Sequence, residues 1–460
     1  VTDRFDVVVI GGGAAGCTAA LHADELGASV ALLEAEPALG GSTARSGGYV
    51  FAAGTDVQRA AGVDDDADAM AEYMSLVQRW TIAPPLVRAL CDDSAWAVGW
   101  LGSLGVEFRV DDLVRTGMER VRRGHRASGG GAMIAERLER ACRARDIEVA
   151  VANPVEGLVV EAGRVVGVRV GGHEVRAGAV VVAAGGFGHE PALLAAHFPS
   201  AAAAGEWTWS IAGSGSTGSS IRLGRQVGAA FAGHDHGLAV PVPAVVRTTT
   251  ATSPWVTLVD REGRRFLRED AYHSVLAAAI GGIGGTAFAV FDDRARRDAP
   301  PDPAYGDLLG PDGGAHRVPG ARVWSASSID ELARHTGMRP QLLAHTVATV
   351  NEHRHRGCDV AHGKDASHLR SIVDAPFFAV EVRPALVALT GYGMCIDDQA
   401  RVLDEADRPI GGLYAAGEAT GNVLGPLYIG SGSSLTSCVV FGRRAGLDAA
   451  RAALGVTRNG

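Results

Sequence analysis

The stretch "FDVVVIGGGAAGCTAALHADELGASVALLEAE" (5–36) decides the fold. Its "DVVVI" is a short continuous apolar run, the pattern of a parallel strand buried on both faces. Gly11, Gly13 and Gly16 follow with G-x-G-x-x-G spacing. Ala14 to Leu26 has helical character, and "SVALLE" is a second strand ending at Glu34. Each glycine has its own physical task. Gly11 permits a tight turn, Gly13 lets backbone amides at Ala14 and Ala15 approach a pyrophosphate, and Gly16 lets helix and strand pack closely. The helix N-terminus attracts the phosphate charge. Glu34, followed by Ala35, lies where a carboxylate accepts hydrogen bonds from ribose hydroxyls. The glycine spacing alone is a weak signal, but strand, glycines, helix, strand and acid in that order are a strong one.

The bulk composition narrows the rest. A chain of 460 residues suggests two or more domains, or one large core with an insertion. Its 62 glycines follow no period, which excludes collagen-like and repeat architectures. A net charge of −9 argues against nucleic-acid partners, which need a basic footprint. "VTDRFDVVVIGGG" reads directly into a strand, so no signal peptide is expected. No long charge-free apolar run suggests stable membrane insertion. The cysteines at 17, 91, 142, 358, 395 and 438 form no C-x-x-C pair, which points to a reducing cytoplasm without a disulfide framework or zinc site. His353, His355 and Cys358 in "NEHRHRGC" read as a solvated helix end, because no second ligand cluster accompanies them. No metal is expected.

Further along, residues 129–170 read as a helix, then strands joined by a turn at Ala162-Gly163, and "GAVVVAAGGFG" (178–188) is another buried strand ending in glycines. From about 240 the style changes to prolines, a charged cluster "DDRARRD" (292–298) and a loop at 299–314. Two short helices follow, with a Ser/Thr-type N-cap before "IDEL". The expected fold class is α/β: a Rossmann-like domain (1–239 and 363–460) with an inserted α+β cap, or substrate, domain (240–362). "GGLYAAGEATG" (411–421) supplies a last buried strand, and a helix begins near Ser434.

The loop "GGSTARSGG" (40–48), six residues past Glu34, resembles the flavin-contacting loop of the fumarate reductase and succinate dehydrogenase flavoprotein superfamily. The order of the motifs quoted above extends the resemblance over nearly the whole chain, with 3-ketosteroid dehydrogenases among the family's members. It implies FAD, contacted by Gly41, Ser42, Thr43, Ser46, Gly47 and Gly48. It also implies contacts from Ala184 and Gly185 on the adenosine side, from Gly417 and Glu418 to ribityl or ribose hydroxyls, and from Ser433, Ser434 and Leu435 at a helix N-terminus. That N-terminus would stabilise negative charge on the reduced ring. Some members attach FAD through a histidine in the first of these loops. None stands between Gly40 and Tyr49 here, so noncovalent FAD is expected.

Two positions bear on the substrate. Fumarate reductases clamp a dicarboxylate with a histidine and an arginine, since carboxylates need fixed cationic donors. The resemblance puts Leu389 and Tyr428 at those places. "YIGSG" (428–432) instead resembles the segment of 3-ketosteroid 1-dehydrogenases in which a tyrosine hydroxyl and a glycine amide hold the substrate ketone, which are the roles of Tyr428 and Gly432. "REGRRFLREDAYHSV" (261–275) looks most like the 4-dehydrogenase type, with Tyr272 as base and His273 and Arg265 as candidates to assist. For Glu269 a salt bridge and a catalytic role stand equal. The implied reaction introduces a C=C bond α,β to a ketone, with the α proton going to Tyr272 and the β hydride to flavin N5. The substrate would be a small cyclic ketone or steroid, and an external acceptor would take the electrons. Two alternatives stay open. One is a flavin ene-reductase acting on an activated C=C bond other than that of fumarate, with Arg296 of "FDDRARR" as acid. The other is a flavin-binding protein without catalysis. Ser219, where the superfamily usually has aspartate, is a departure on the adenosine side.

Overall fold

The computed structural model describes residues 4–243, 251–300, 305 and 323–456. The βαβ unit is strand Arg4–Ile10, helix Ala14–Asp24 and strand Val30–Leu33. Val7, Val8 and Val9 have no exposed surface, because parallel neighbours flank them on both sides. Val8 pairs with Ala31 on one side and with Val180 on the other. The sheet continues in parallel to Ile147–Ala150 at one side and to Pro409–Ala415 at the other, where Arg401–Leu403 adds an antiparallel edge. The hairpin Val155–Glu161 and Arg164–Val170 turns at Ala162 (φ 48°) and Gly163 (φ 75°). Two successive positive φ values match the twist of a two-residue hairpin.

The late helix Ser433–Leu454 lies against the first helix with glycines at the contact. A Cβ on Gly442 or Gly446 would sit 2.5 Å from Ala15 O or 2.2 Å from Ala19 O, so only bare backbone permits this approach. A three-stranded sheet, Tyr49–Phe51, Gly124–Ala127 and Phe108–Val114, belongs to the same unit, as does the helix Ala67–Val77.

Contacts divide the chain into a first unit (1–198, 210–238, 389–460) and a second (199–209, 239–388). The α/β unit with an inserted α+β unit is the expected fold class, but the borders differ. The second unit also takes Pro199–Trp209, and the chain returns at Leu389 rather than 363. The reason is the strand Phe377–Thr390, which pairs antiparallel with Ala287–Asp292 and Val323–Ala326 and so belongs mostly to the insertion. Two apolar clusters hold this unit, one around Trp255, Phe291, Tyr305 and Phe378, the other around Leu332, Leu343 and Val347. Ser328 caps helix Ile329–Thr336 by accepting from the Glu331 amide at 3.2 Å, as expected. The following helix is long, Pro340–Arg356, started by Pro340 and ended by left-handed Gly357. The loop at 299–314 lies largely outside the described residues. Among the described residues no helix is long and apolar enough to cross a membrane.

Candidate active site

The glycine turn is built around one gap. Gly11 adopts φ 101°, and a Cβ there would lie 2.4 Å from Ala183 O. A Cβ on Gly16 would lie 1.8 Å from Gly11 O, so the helix start is pressed against the turn. Gly13 is different: its Cβ would meet nothing nearer than Thr43 Oγ1 at 3.8 Å. Gly13 is the N-cap of helix Ala14–Asp24 without a capping side chain, and the first turn carries no acid. The positive helix end therefore faces open space, where a pyrophosphate fits. The Ala14 amide donates to Thr43 Oγ1 at 3.0 Å, and Ala15 packs beneath, against Gly417. Buried Glu34 is held by two amides: Gly12 N donates to Oε2 at 2.6 Å and Glu36 N to Oε1 at 2.8 Å. Exposed Ala35 lies between them.

The loop after it forms a short helix, Gly41–Arg45. Ser42 Oγ accepts from Gly213 N at 3.0 Å. Ser46 Oγ donates to Thr43 O at 2.8 Å and accepts from Gly48 N at 3.3 Å. Gly47 abuts the Tyr49 ring, and Gly48 needs its left-handed backbone to pass Gly130. Gly185, beside Ala184, accepts from Ser220 Oγ at 2.8 Å. The segment Gly213–Ser216 leads into Ser219, which the sequence places on the adenosine side. Besides its bond to Ser42, it donates from Ser214 Oγ to Glu36 Oε2 at 2.7 Å. Its small-residue run "SGSTGSS" was the available signal. Ser219 accepts from Arg222 Nη2 at 2.9 Å.

At the other end, Gly417 and Glu418 follow strand Pro409–Ala415. Glu418 Oε1 accepts from Thr390 N at 2.7 Å and Thr390 Oγ1 at 2.8 Å. Burial pushes this carboxyl's pKa up despite both bonds. Glu418, Leu389, Thr390 and Ser434 line one cleft. Thr390 was missed by sequence reasoning, although it adjoins Leu389. Gly432 (φ 103°) is the N-cap of helix Ser433–Leu454, again without a capping side chain. Ser433 Oγ donates to Gly430 O at 2.9 Å, and Leu435 is buried in the helix's first turn.

Tyr428 is buried, and its hydroxyl oxygen accepts from Ser434 N at 3.2 Å. Burial raises the phenol's pKa, while hydrogen bonds with Ser433, Ser434 N and Gly432 N act the other way. The structure therefore brings Tyr428 and Gly432 together, and it does so by seating the phenol oxygen on the helix N-terminus.

Tyr272 belongs to the second unit. It is the half-buried N-cap of helix His273–Gly282, with its ring centroid 4.9 Å from that of His273. Burial lowers the His273 pKa. Of the two roles open for Glu269, the ion pair is present. Its oxygens take Arg265 Nε at 2.9 Å and Nη2 at 2.8 Å, Leu258 N at 3.0 Å and Lys364 Nζ at 3.1 Å. Arg265 also binds Asp359 at 2.8 Å, so both candidate assistants of Tyr272 are not equally placed: Arg265 is committed to carboxylates. His353 is not solvated. It is buried, with Nδ1 2.9 Å from Asp359 Oδ1 though out of hydrogen-bond alignment, while His355 and Cys358 are exposed. Removing one member of such a buried network costs about 3–5 kcal/mol. Arg296 donates to Asp293 at 2.7 Å. Among the described residues no group of side chains could hold a metal.

A glycine turn at one bare helix N-terminus, a buried acid beside it and a second bare helix N-terminus are the parts of a dinucleotide site. The family profile described as "FAD binding domain" matches residues 6–435, and the chain belongs to that family. It is 32% identical over 467 residues to a probable fumarate reductase, Ifc3, of Shewanella frigidimarina, covering 98% of this chain and 76% of that one. It is 25% identical to a 3-oxosteroid 1-dehydrogenase of Mycolicibacterium smegmatis, with 98% of each covered. Among solved structures, a 3-ketosteroid-Δ4-(5α)-dehydrogenase of Rhodococcus jostii, in complex with 4-androstene-3,17-dione, gives a TM-score of 0.81 at 27% identity, with 97% of each chain covered. The chain is thus an FAD-dependent oxidoreductase acting on CH–CH bonds, in the superfamily that spans fumarate reductases and 3-ketosteroid dehydrogenases.

Proposed function

We propose that this protein desaturates a cyclic ketone, a 3-ketosteroid or a molecule of similar shape, next to its carbonyl. One observation carries the reading. Tyr428 rests on the Ser434 amide, and Ser434 lines the same cleft as Leu389. By the family resemblance, a phenol and an apolar side chain take the positions at which fumarate reductases carry two cations. A dicarboxylate finds no cationic side chain among the described residues lining that cleft, whereas a ketone needs only neutral donors.

The FAD site is contributed by the Gly13 gap, Glu34, the 41–48 loop, Ala184, Gly185, Glu418 and the Ser433–Leu435 turn. Bound FAD supplies the acceptor for the hydride lost from the β carbon. The rest falls to side chains. Accepting from helix amides polarises the Tyr428 O–H and makes it a better donor to the substrate oxygen. Donation there stabilises the developing enolate, and such a donor is worth about 3 kcal/mol. Tyr272 takes the α proton. A phenol of ordinary pKa about 10 needs an outlet for that proton, and His273, whose ring packs against it, is the candidate relay. An external acceptor then takes the electrons, and the six thiols, none of them in a disulfide, suit a reducing cytoplasm.

The test is anaerobic mixing of the FAD-loaded protein with saturated 3-ketosteroids while flavin absorbance is followed. The expected result is bleaching that slows about 100-fold in Tyr428→Phe with FAD retained. Unchanged bleaching in that variant removes Tyr428 from the reaction. The reverse direction is the second reading, favoured by the reductase at 32% identity. It is recognised by reoxidation of the dithionite-reduced protein on adding an unsaturated ketone.

A further inference from the structure

The segment around Tyr428 is held from outside by one helix. Helix Ala67–Val77 has Gln78 as its C-cap, and Gln78 is 1% exposed. Its side-chain amide pairs with the backbone of Leu427 in both directions: Nε2 donates to Leu427 O, and Leu427 N donates to Oε1 at 3.3 Å. On the other side of Tyr428, the Tyr73 hydroxyl of the same helix donates to Ile429 O at 2.6 Å and accepts from Met118 N at 3.0 Å. Both peptide neighbours of Tyr428 are therefore fixed by side chains five residues apart. A third clamp follows, with Ser431 N donating to Thr116 O at 3.0 Å and Thr116 Oγ1 donating to Ser431 O at 3.1 Å.

The clamping helix is itself well fixed. Met70 and Met74 are fully buried. The Tyr73 ring lies 6.2 Å from the Phe51 ring on one side and 5.3 Å from the Arg123 guanidinium on the other. Arg123 is locked by a buried ion pair with Asp65 at 2.7 Å. The loop has no slack either, since a Cβ on Gly425 would sit 2.3 Å from Gln78 Oε1 and one on Gly430 2.5 Å from the Phe51 ring. A donor that must meet charge only as it develops is useful in proportion to how little it moves beforehand.

We infer that Gln78 and Tyr73 are positioning residues for Tyr428, setting where its hydroxyl is presented to the carbonyl oxygen of the substrate. This rests on the role proposed for Tyr428. Two readouts separate the two ideas. The first is a double-mutant cycle on anaerobic flavin bleaching by a saturated 3-ketosteroid. Gln78→Leu and Tyr73→Phe, each with FAD retained, are expected to slow bleaching at saturating steroid at least 10-fold with little change in the half-saturating concentration. Added to Tyr428→Phe, each is expected to slow it less than twofold further. Equal losses in both backgrounds would overturn the inference. The second readout needs no substrate. In protein labelled with tyrosine at 13Cζ, the Tyr428 resonance, assigned by its loss in Tyr428→Phe, is expected to shift in both variants. An unmoved resonance overturns the inference even where bleaching changes. If Tyr428→Phe bleaches at the normal rate, the proposed function fails, and the resonance alone still decides the positioning. Tyr73→Phe removes a single hydroxyl, so it serves should Gln78→Leu fold poorly.

Discussion

Gly13→Ala isolates the nucleotide gap from the stability of the fold. The added methyl has room, with its nearest neighbour Thr43 Oγ1 3.8 Å away. The backbone at Gly13 (φ −76°, ψ −175°) is ordinary extended geometry for alanine. The folded apoprotein loses only the N-cap preference of glycine over alanine, about 0.5–1 kcal/mol. The same methyl projects into the space left for a pyrophosphate. Pushing a phosphate off one or two charge-assisted amide bonds costs about 1.5–3 kcal/mol each, so affinity should fall by roughly 10- to 100-fold or more. The assay titrates apoprotein with FAD by quenching of flavin fluorescence, beside a melting curve of the apoprotein. Binding within twofold of the parent would refute the placement of the pyrophosphate at this turn. Loss of the folded apoprotein would refute the claim that the gap is empty of protein. Gly16→Ala is the internal contrast: its methyl lands 1.8 Å from Gly11 O, so it should damage fold and binding together.

Acid precipitation should release all the yellow colour into the supernatant as unmodified FAD; colour left in the pellet would show a covalent bond. Introducing both missing cations, Leu389→His with Tyr428→Arg, should give measurable fumarate reduction with a dithionite-reduced dye, while removing ketone-dependent bleaching. Either activity left unmoved would show that these positions do not choose the substrate. His22 lies against Trp96 and Trp100, and burial, with Arg443 and Arg145 adding to it, brings its pKa down to about 3. A lowered pKa means that stability is present above the unfolded value of about 6.5 and is lost as pH falls towards 3, by up to about 1.4 kcal/mol per pH unit. His22→Gln should flatten stability against pH in that window, and an unchanged slope in chemical denaturation would count against it.

The sheet and its glycine turn were legible because a parallel strand and a nucleotide turn write themselves into a few adjacent residues. Ala162-Gly163 and Ser328 were legible for the same reason, each being a local rule of backbone geometry. The border near 363 differs because strand Phe377–Thr390 is mostly apolar, with Glu381 and Arg383 its only charges, and nothing local says which sheet it joins. His353 looked solvated since its partner, Asp359, meets it only through the turn at Gly357. Gln78, Tyr73 and Thr116 were invisible for a related reason: their partners at 427–431 are backbone atoms more than 300 residues away. A side chain that binds backbone leaves no complementary residue type to notice. Gly13 and Gly432 cap the two helices that the motifs mark, but the scaffold that fixes Tyr428 had no motif.

The threading of the first unit has a consequence for biosynthesis. Its central strand, Arg4–Ile10, lies beside His173–Val182, which waits for Pro409–Ala415, and one side of its first helix is covered by Ser433–Leu454. The residues of the second unit have all been made before any of those last pieces. A growing chain can therefore close its insertion while the nucleotide turn still carries a half-covered apolar helix and an open parallel edge. Long-range parallel pairing is slow and exposed to aggregation, so the ribosome must make the chain through Ser433–Leu454 before this protein can first hold its flavin.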